Sequence, residues 1–126
     1  TNLFATLGVK TTFVDVFDLA ALGQSIAEAK PRVVFVETIS NPLLRVADLP
    51  AIAAIARAAK AVLVVDNMFA SPLLVNPLAL GAHAVVHSST KYLSGHGDVT
   101  GGVIATDAER AFELRELTKL TGGIPG

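Results

Sequence analysis

Val33-Val34-Phe35-Val36-Glu37 and Val62-Leu63-Val64-Val65-Asp66 decide the fold: each is a run of four apolar residues ending in a carboxylate. Continuous aliphatic runs without polar alternation predict strands buried on both faces, the pattern of a parallel sheet. Ala84-Val85-Val86-His87-Ser88 predicts a third such strand. Working outward, the intervening segments read as helices. Asp18 is placed to cap one helix, with Leu19, Leu22 and Ile26 at helical spacing and Pro31 closing it. Asp48 caps another, whose Leu49, Ile52, Ala53, Ala56 and Ala59 form a narrow face suited to close packing on a sheet, with Arg57 and Lys60 toward water. Asn41-Pro42 marks a loop, and Asn76-Pro77 a short helix ending near Gly81. Thr12 to Phe17 is a further β-prone run. Thr90 to Gly102 is a polar, glycine-bearing loop, followed by a brief strand over Val103 to Ala105 and a closing helix over Asp107 to Thr121. Strands alternating with helices predict an α/β fold, a mostly parallel sheet with helices on both faces, because parallel neighbours need a crossover that is normally helical.

Composition bounds the function. The chain has 126 residues, 52% hydrophobic and 17% charged, with ten Lys plus Arg against eleven Asp plus Glu. A single domain of this size can bury a real core. It contains no cysteine, which excludes disulfides, cysteine-ligated zinc, iron–sulfur clusters and a cysteine nucleophile within it, so a reduced, cytoplasmic setting is expected. Mean hydropathy is high at +0.57. Yet Arg57, Lys60 and Asp66 interrupt the apolar stretches before any reaches the roughly 18 residues a bilayer span needs. No signal peptide is expected. A formal charge of -1 without a basic stripe argues against nucleic acid.

In parallel α/β sheets, ligands sit beyond the carboxyl ends of the strands. The polar residues of this chain fall there: Glu37, Asp66, Ser88, Thr90 and Lys91. Lys91, within Ser88-Ser89-Thr90-Lys91-Tyr92-Leu93, is a candidate nucleophile or Schiff-base residue, against the commoner alternative of a solvated surface lysine. Ser88 and Thr90 offer hydroxyls to phosphate oxygens, or cap a local turn. Asp66, at a strand end, suits a cationic partner such as a protonated pyridine nitrogen or a magnesium ion, or else caps the Asn67 and Met68 backbone. His83 and His87 lie four apart with no third ligand in place, so no metal site is expected. Gly95-His96-Gly97-Asp98, continuing to Gly101-Gly102, misses the dinucleotide fingerprint and reads as a glycine-permitted turn.

Three blocks taken together carry a resemblance: Glu37-Thr38-Ile39-Ser40-Asn41-Pro42, Val65-Asp66-Asn67-Met68-Phe69-Ala70-Ser71-Pro72, and His87-Ser88-Ser89-Thr90-Lys91-Tyr92-Leu93-Ser94-Gly95-His96-Gly97-Asp98. In order and spacing the chain resembles the cystathionine and methionine metabolism family of pyridoxal-phosphate enzymes. The resemblance implies the fold-type I, aminotransferase-like large domain, with pyridoxal 5'-phosphate as cofactor. It implies that Lys91 forms the Schiff base and shuttles protons, that Asp66 pairs with the pyridinium nitrogen, that Ser88 and Thr90 bind the phosphate, and that Asn41 lies near the ring 3′-oxygen. Glu37 matches the pattern without an implied role. Met68, His83 and Ile39 depart from it, at positions where the family usually has a small polar or β-branched residue, an aspartate and a proline respectively.

The implied activity is a transsulfuration-type carbon–sulfur lyase or transferase acting on sulfur amino acids or activated homoserine by β- or γ-elimination or replacement. The implied assembly is a homo-oligomer of the tetrameric kind. The resemblance aligns residues 1–126 with the middle of the family's chain, so a fragment of the large domain is expected, lacking an N-terminal segment and the C-terminal small domain. Expressed alone, such a slab should expose apolar surface and self-associate. A nucleotide-binding module and a non-catalytic α/β remnant are the alternative readings.

Overall fold

A computed structural model describes residues 2–123. The elements follow in the order α1 (Asn2–Ala5), α2 (Leu19–Ala29), β1 (Val33–Glu37), α3 (Leu49–Ala58), β2 (Val62–Asp66), α4 (Ser71–Leu74), β3 (Ala84–Ser88), a widened π-type turn (Ser89–Leu93), β4 (Gly102–Thr106) and α5 (Ala108–Thr121). The three apolar runs are strands over the residues expected. They form one sheet in the order β1-β2-β3-β4, parallel across the first three strands, with β4 returning antiparallel to β3.

Asp18 and Asp48, the aspartates read as caps, are caps, and Asp107, read as the first residue of the closing helix, is the cap of α5. Asp18 accepts from the Ala21 N–H at 2.9 Å, Asp48 from Ala51 at 3.1 Å and Asp107 from Arg110 at 2.9 Å, each satisfying an amide that the first helical turn leaves unpaired. Helix α2 stops where Lys30 turns left-handed at φ 45°, just before Pro31. In α3, Leu49, Ile52, Ala53 and Ala56 are buried as spaced, whereas Ala59 is exposed because the helix ends at Ala58.

Helices α2 and α3 pack on one face of the sheet. Leu22, Ile26, Leu49, Ile52, Ala53 and Ala56 meet Val34, Val36, Leu63 and Val65 in a single apolar cluster. Each fully buried Leu, Ile or Val there contributes roughly 1.5–3 kcal/mol of transfer free energy. The small Ala53 and Ala56 let α3 lie close to β2.

The opposite face corrects the expectation of strands buried on both sides. Burial alternates along β1, so Val33 and Phe35 are 52% and 58% exposed while Val34 and Val36 are buried. Ile104 of β4 is likewise 52% exposed. The continuous apolar runs encode two apolar faces, and among the described residues only one of them is fully covered. Helix α5 packs against β4 and buries none of its own residues.

Two local expectations also differ. Thr12 to Phe17 is not a strand: the Asp15 carboxylate accepts from the Phe17 N–H and its carbonyl from the Asp18 N–H, turning the chain into α2, while Val14, Val16 and Phe17 pack on the core. The helix expected from Asn76-Pro77 is a series of tight turns ending at Gly81, and a helical turn appears earlier instead, over Ser71–Leu74. No helix among the described residues is long and apolar enough to cross a membrane.

Candidate active site

The parallel register aligns the strand ends. Glu37 pairs with Asp66, and Asp66 with Val86, so β1, β2 and β3 deliver their last residues to one edge of the sheet. Beyond that edge lies a cavity of about 140 Å³ lined by Glu37, Ile39, Asn41, Asp66, Met68, Phe69 and Lys91. Three candidates from separate sequence blocks, Asn41, Asp66 and Lys91, therefore converge on one space. Ser88 and Thr90 stand beside it, at the end of β3 and in the turn that follows, and are not part of its wall.

Each lining residue is held by local structure. The Asp66 Oδ1 accepts from the Met68 N–H at 2.9 Å, which is the backbone-capping alternative realised; Oδ2 carries no hydrogen bond among the described residues. Lys91 sits at a break in the π-type turn, with non-helical φ -105° and ψ -115°, and its carbonyl accepts from the Gly95 N–H at 3.0 Å. π-Type irregularities gather at functional positions because they redirect a side chain without ending the element. Gly95 and Gly97, at φ 77° and 71°, make the glycine-permitted turn that follows. The Glu37 Oε2 accepts from the Asn41 N–H at 3.2 Å, folding the Asn41 loop back over the end of β1.

The Thr90 hydroxyl is engaged locally, accepting from the Gly101 N–H at 3.0 Å and lying 3.4 Å from the Gly101 carbonyl, so it ties the lysine turn to the start of β4. Phe69 and Tyr92 approach as a tilted ring pair with centroids 6.3 Å apart, joining the β2 and β3 ends of the cavity. Of the three departures from the family pattern, Met68 and Ile39 fall on the cavity wall and His83 does not. Met68 and Phe69 were not singled out as lining residues in the sequence, where only their place directly after Asp66 could have marked them. His87 is buried within β3, and the His83 Nδ1 accepts from the Leu63 N–H at 3.0 Å, so His83 serves the backbone between β2 and β3.

The family pattern described as Cys/Met metabolism PLP-dependent enzyme matches residues 1–126. The chain belongs to that family. This Cys/Met metabolism family chain is 56% identical over 106 residues to cystathionine gamma-synthase of Escherichia coli (strain K12), an alignment covering 83% of this chain and 27% of that protein. It is 41% identical over 127 residues to cystathionine gamma-lyase of Bacillus subtilis (strain 168), covering 100% of this chain and 33% of that one. Its fold superposes on the crystal structure of apo CalE6, a methionine gamma lyase from Micromonospora echinospora, with a TM-score of 0.94 and 38% identity, covering 99% of this chain and 35% of that one. The Cys/Met metabolism chain thus spans about a third of the length of these relatives.

Proposed function

We propose that this chain is part of the large cofactor domain of a pyridoxal-phosphate-dependent transsulfuration-type enzyme, acting on sulfur amino acids or activated homoserine. The observation that carries the reading is the convergence of Lys91, Asp66 and Asn41 on one cavity at the carboxyl edge of a parallel sheet. The donor set suits pyridoxal phosphate: a primary amine for its aldehyde, a carboxylate with one uncommitted oxygen for its basic ring nitrogen, and an amide for its ring oxygen. Phe69 and Met68 supply apolar wall for a flat ring.

The cofactor, when bound, supplies an electron sink for negative charge developing at the substrate Cα. The chain's own residues do the rest. Asp66 holds a proton on the ring nitrogen, and the Met68 N–H keeps its carboxylate in one orientation for that task. The Lys91 amine would hold the cofactor through its aldehyde carbon and would take and return protons at the substrate carbon. Asn41, folded inward by Glu37, orients the ring. Ser88 and Thr90, beside the cavity at the end of β3, bind the phosphate, Thr90 also keeping its bond to Gly101. The same reading carries a cytoplasmic homo-oligomer, in keeping with an apolar sheet face left uncovered over residues 2–123.

The test is covalent. Incubation with pyridoxal phosphate should give a visible absorption band, and borohydride reduction followed by peptide mapping should leave the added mass on Lys91. Lys91→Ala should abolish both. An unchanged band in that variant, or mass fixed on another lysine alone, overturns the proposal.

A further inference from the structure

Behind the cavity wall, on the face of the sheet that α2 and α3 cover, lies a buried polar assembly that the site chemistry does not use. Thr38 and Asn67 directly follow the strand ends of β1 and β2 and are 2% and 0% exposed. The Thr38 hydroxyl donates to the Asn67 Oδ1 at 2.8 Å. The Asn67 Nδ2 donates to the carbonyls of Ser71 at 3.1 Å and Val75 at 2.9 Å. Main-chain bonds complete the frame: the Thr38 N–H donates to the Asp66 carbonyl at 2.9 Å, and the Asn67 N–H to the Val86 carbonyl at 3.0 Å.

The logic of donors and acceptors makes this assembly directional. Carbonyls only accept, so Ser71 and Val75 fix the amide nitrogen of Asn67 toward them, and its oxygen is left facing β1, where it needs a donor. Thr38 is that donor. Asn67 is thereby pinned at both ends and holds the whole turn from 67 to 75, in which Ser71 adopts a left-handed φ of 58° that a β-substituted residue enters only under constraint. Met68 and Phe69 lie within that turn and line the cavity, and the Met68 N–H is the group that orients the Asp66 carboxylate.

Resting on the pyridoxal phosphate reading above, we infer that Thr38 and Asn67 are positioning residues. They fix the turn that carries the Met68 N–H and so set the carboxylate of Asp66 against the cofactor ring. Their contribution passes through Met68, with no contact of their own to the cavity.

In the whole protein without cofactor, the Met68 amide should exchange with solvent nearly as slowly as that of buried Val65. Exchange as fast as at Gly95 overturns the inference and needs no variant. Thr38→Val, which keeps shape and removes the donor, should speed Met68 exchange about tenfold and weaken pyridoxal phosphate binding about tenfold, with Thr38→Ser within about twofold of wild type in both. Val36→Ala, a buried change on the same strand outside the assembly, should lower the melting temperature while leaving Met68 exchange unchanged relative to Val65. If Thr38→Val only lowers the melting temperature, or Val36→Ala mobilises Met68 equally, the inference falls. If wild type binds no pyridoxal phosphate, the cofactor reading fails and the positioning role toward the ring falls with it, even where the exchange results hold.

Discussion

Glu37 and Asp66 stand opposite each other as the last registered pair of β1 and β2, two carboxylates on the sheet face that α2 and α3 leave open. Like charges directly opposite across a sheet are unfavourable. Here each carboxylate accepts a backbone N–H from the loop that follows it, Asn41 for Glu37 and Met68 for Asp66. The pair thus closes two loops over one cavity. Glu37→Gln keeps an acceptor for Asn41 and removes the repulsion, and should leave stability within about 0.5 kcal/mol of wild type. Glu37→Ala deletes the acceptor and should cost about 0.5–1.5 kcal/mol in urea denaturation, with weakened pyridoxal phosphate binding as the Asn41 loop loosens. Equal behaviour of the two variants would show that the bond to Asn41 does not matter.

Gly81 has φ 101°, and a Cβ there would lie 2.9 Å from the Ala53 Cβ on α3. Gly81→Ala therefore combines an unfavourable backbone with a clash against a buried helix, and should destabilise by about 2–4 kcal/mol. Gly23→Ala, inside α2 with open space around the new methyl, should instead stabilise by about 0.5–1 kcal/mol. Chemical denaturation of the two variants beside wild type checks both signs.

The Arg110 backbone N–H, together with the Arg110 guanidinium, holds the Asp107 carboxyl below the ordinary carboxylate range. Since the folded value is the depressed one, its contribution is present above the unfolded carboxylate pKa and is lost as pH falls through the folded value. The first turn of α5 should therefore fray in acid. Asp107→Asn retains a capping oxygen without the charge and should flatten that dependence. Amide exchange at Arg110 and Ala111 between neutral pH and about pH 3 reads the difference.

Phe35 lies 58% exposed in the middle of β1, which is also an edge strand of the sheet among the described residues. Residues 1–126 expressed as a separate polypeptide should self-associate through this apolar face and edge. Phe35→Lys should shift sedimentation toward monomer at equal concentration. A wild-type polypeptide that stays monomeric at high concentration contradicts the prediction.

Much of the architecture was legible because the signals are local. Asp18 and Asp48 announce their helices by capping chemistry that acts within three residues, and the strand ends at Glu37, Asp66 and Ser88 follow from where apolar runs stop. Asn41, Asp66 and Lys91 were legible as candidates by residue type, block spacing and family likeness. The turn at Asp15 was not, because a β-prone composition over Thr12 to Phe17 competes with a side-chain bond that only its own geometry reveals.

The sequence by itself determined the succession of β1, β2 and β3, the starts of α2 and α3, and which residue types arrive at strand ends, since propensity and capping depend on near neighbours. Only the tertiary structure decided that Asn41, Asp66 and Lys91 line one cavity, that Thr38 meets Asn67 across 29 positions, and that one apolar face is covered while the other is not. Those outcomes depend on strand register and on which helix crosses which face. A continuous apolar run specifies two faces to bury, and it carries no record of what covers each.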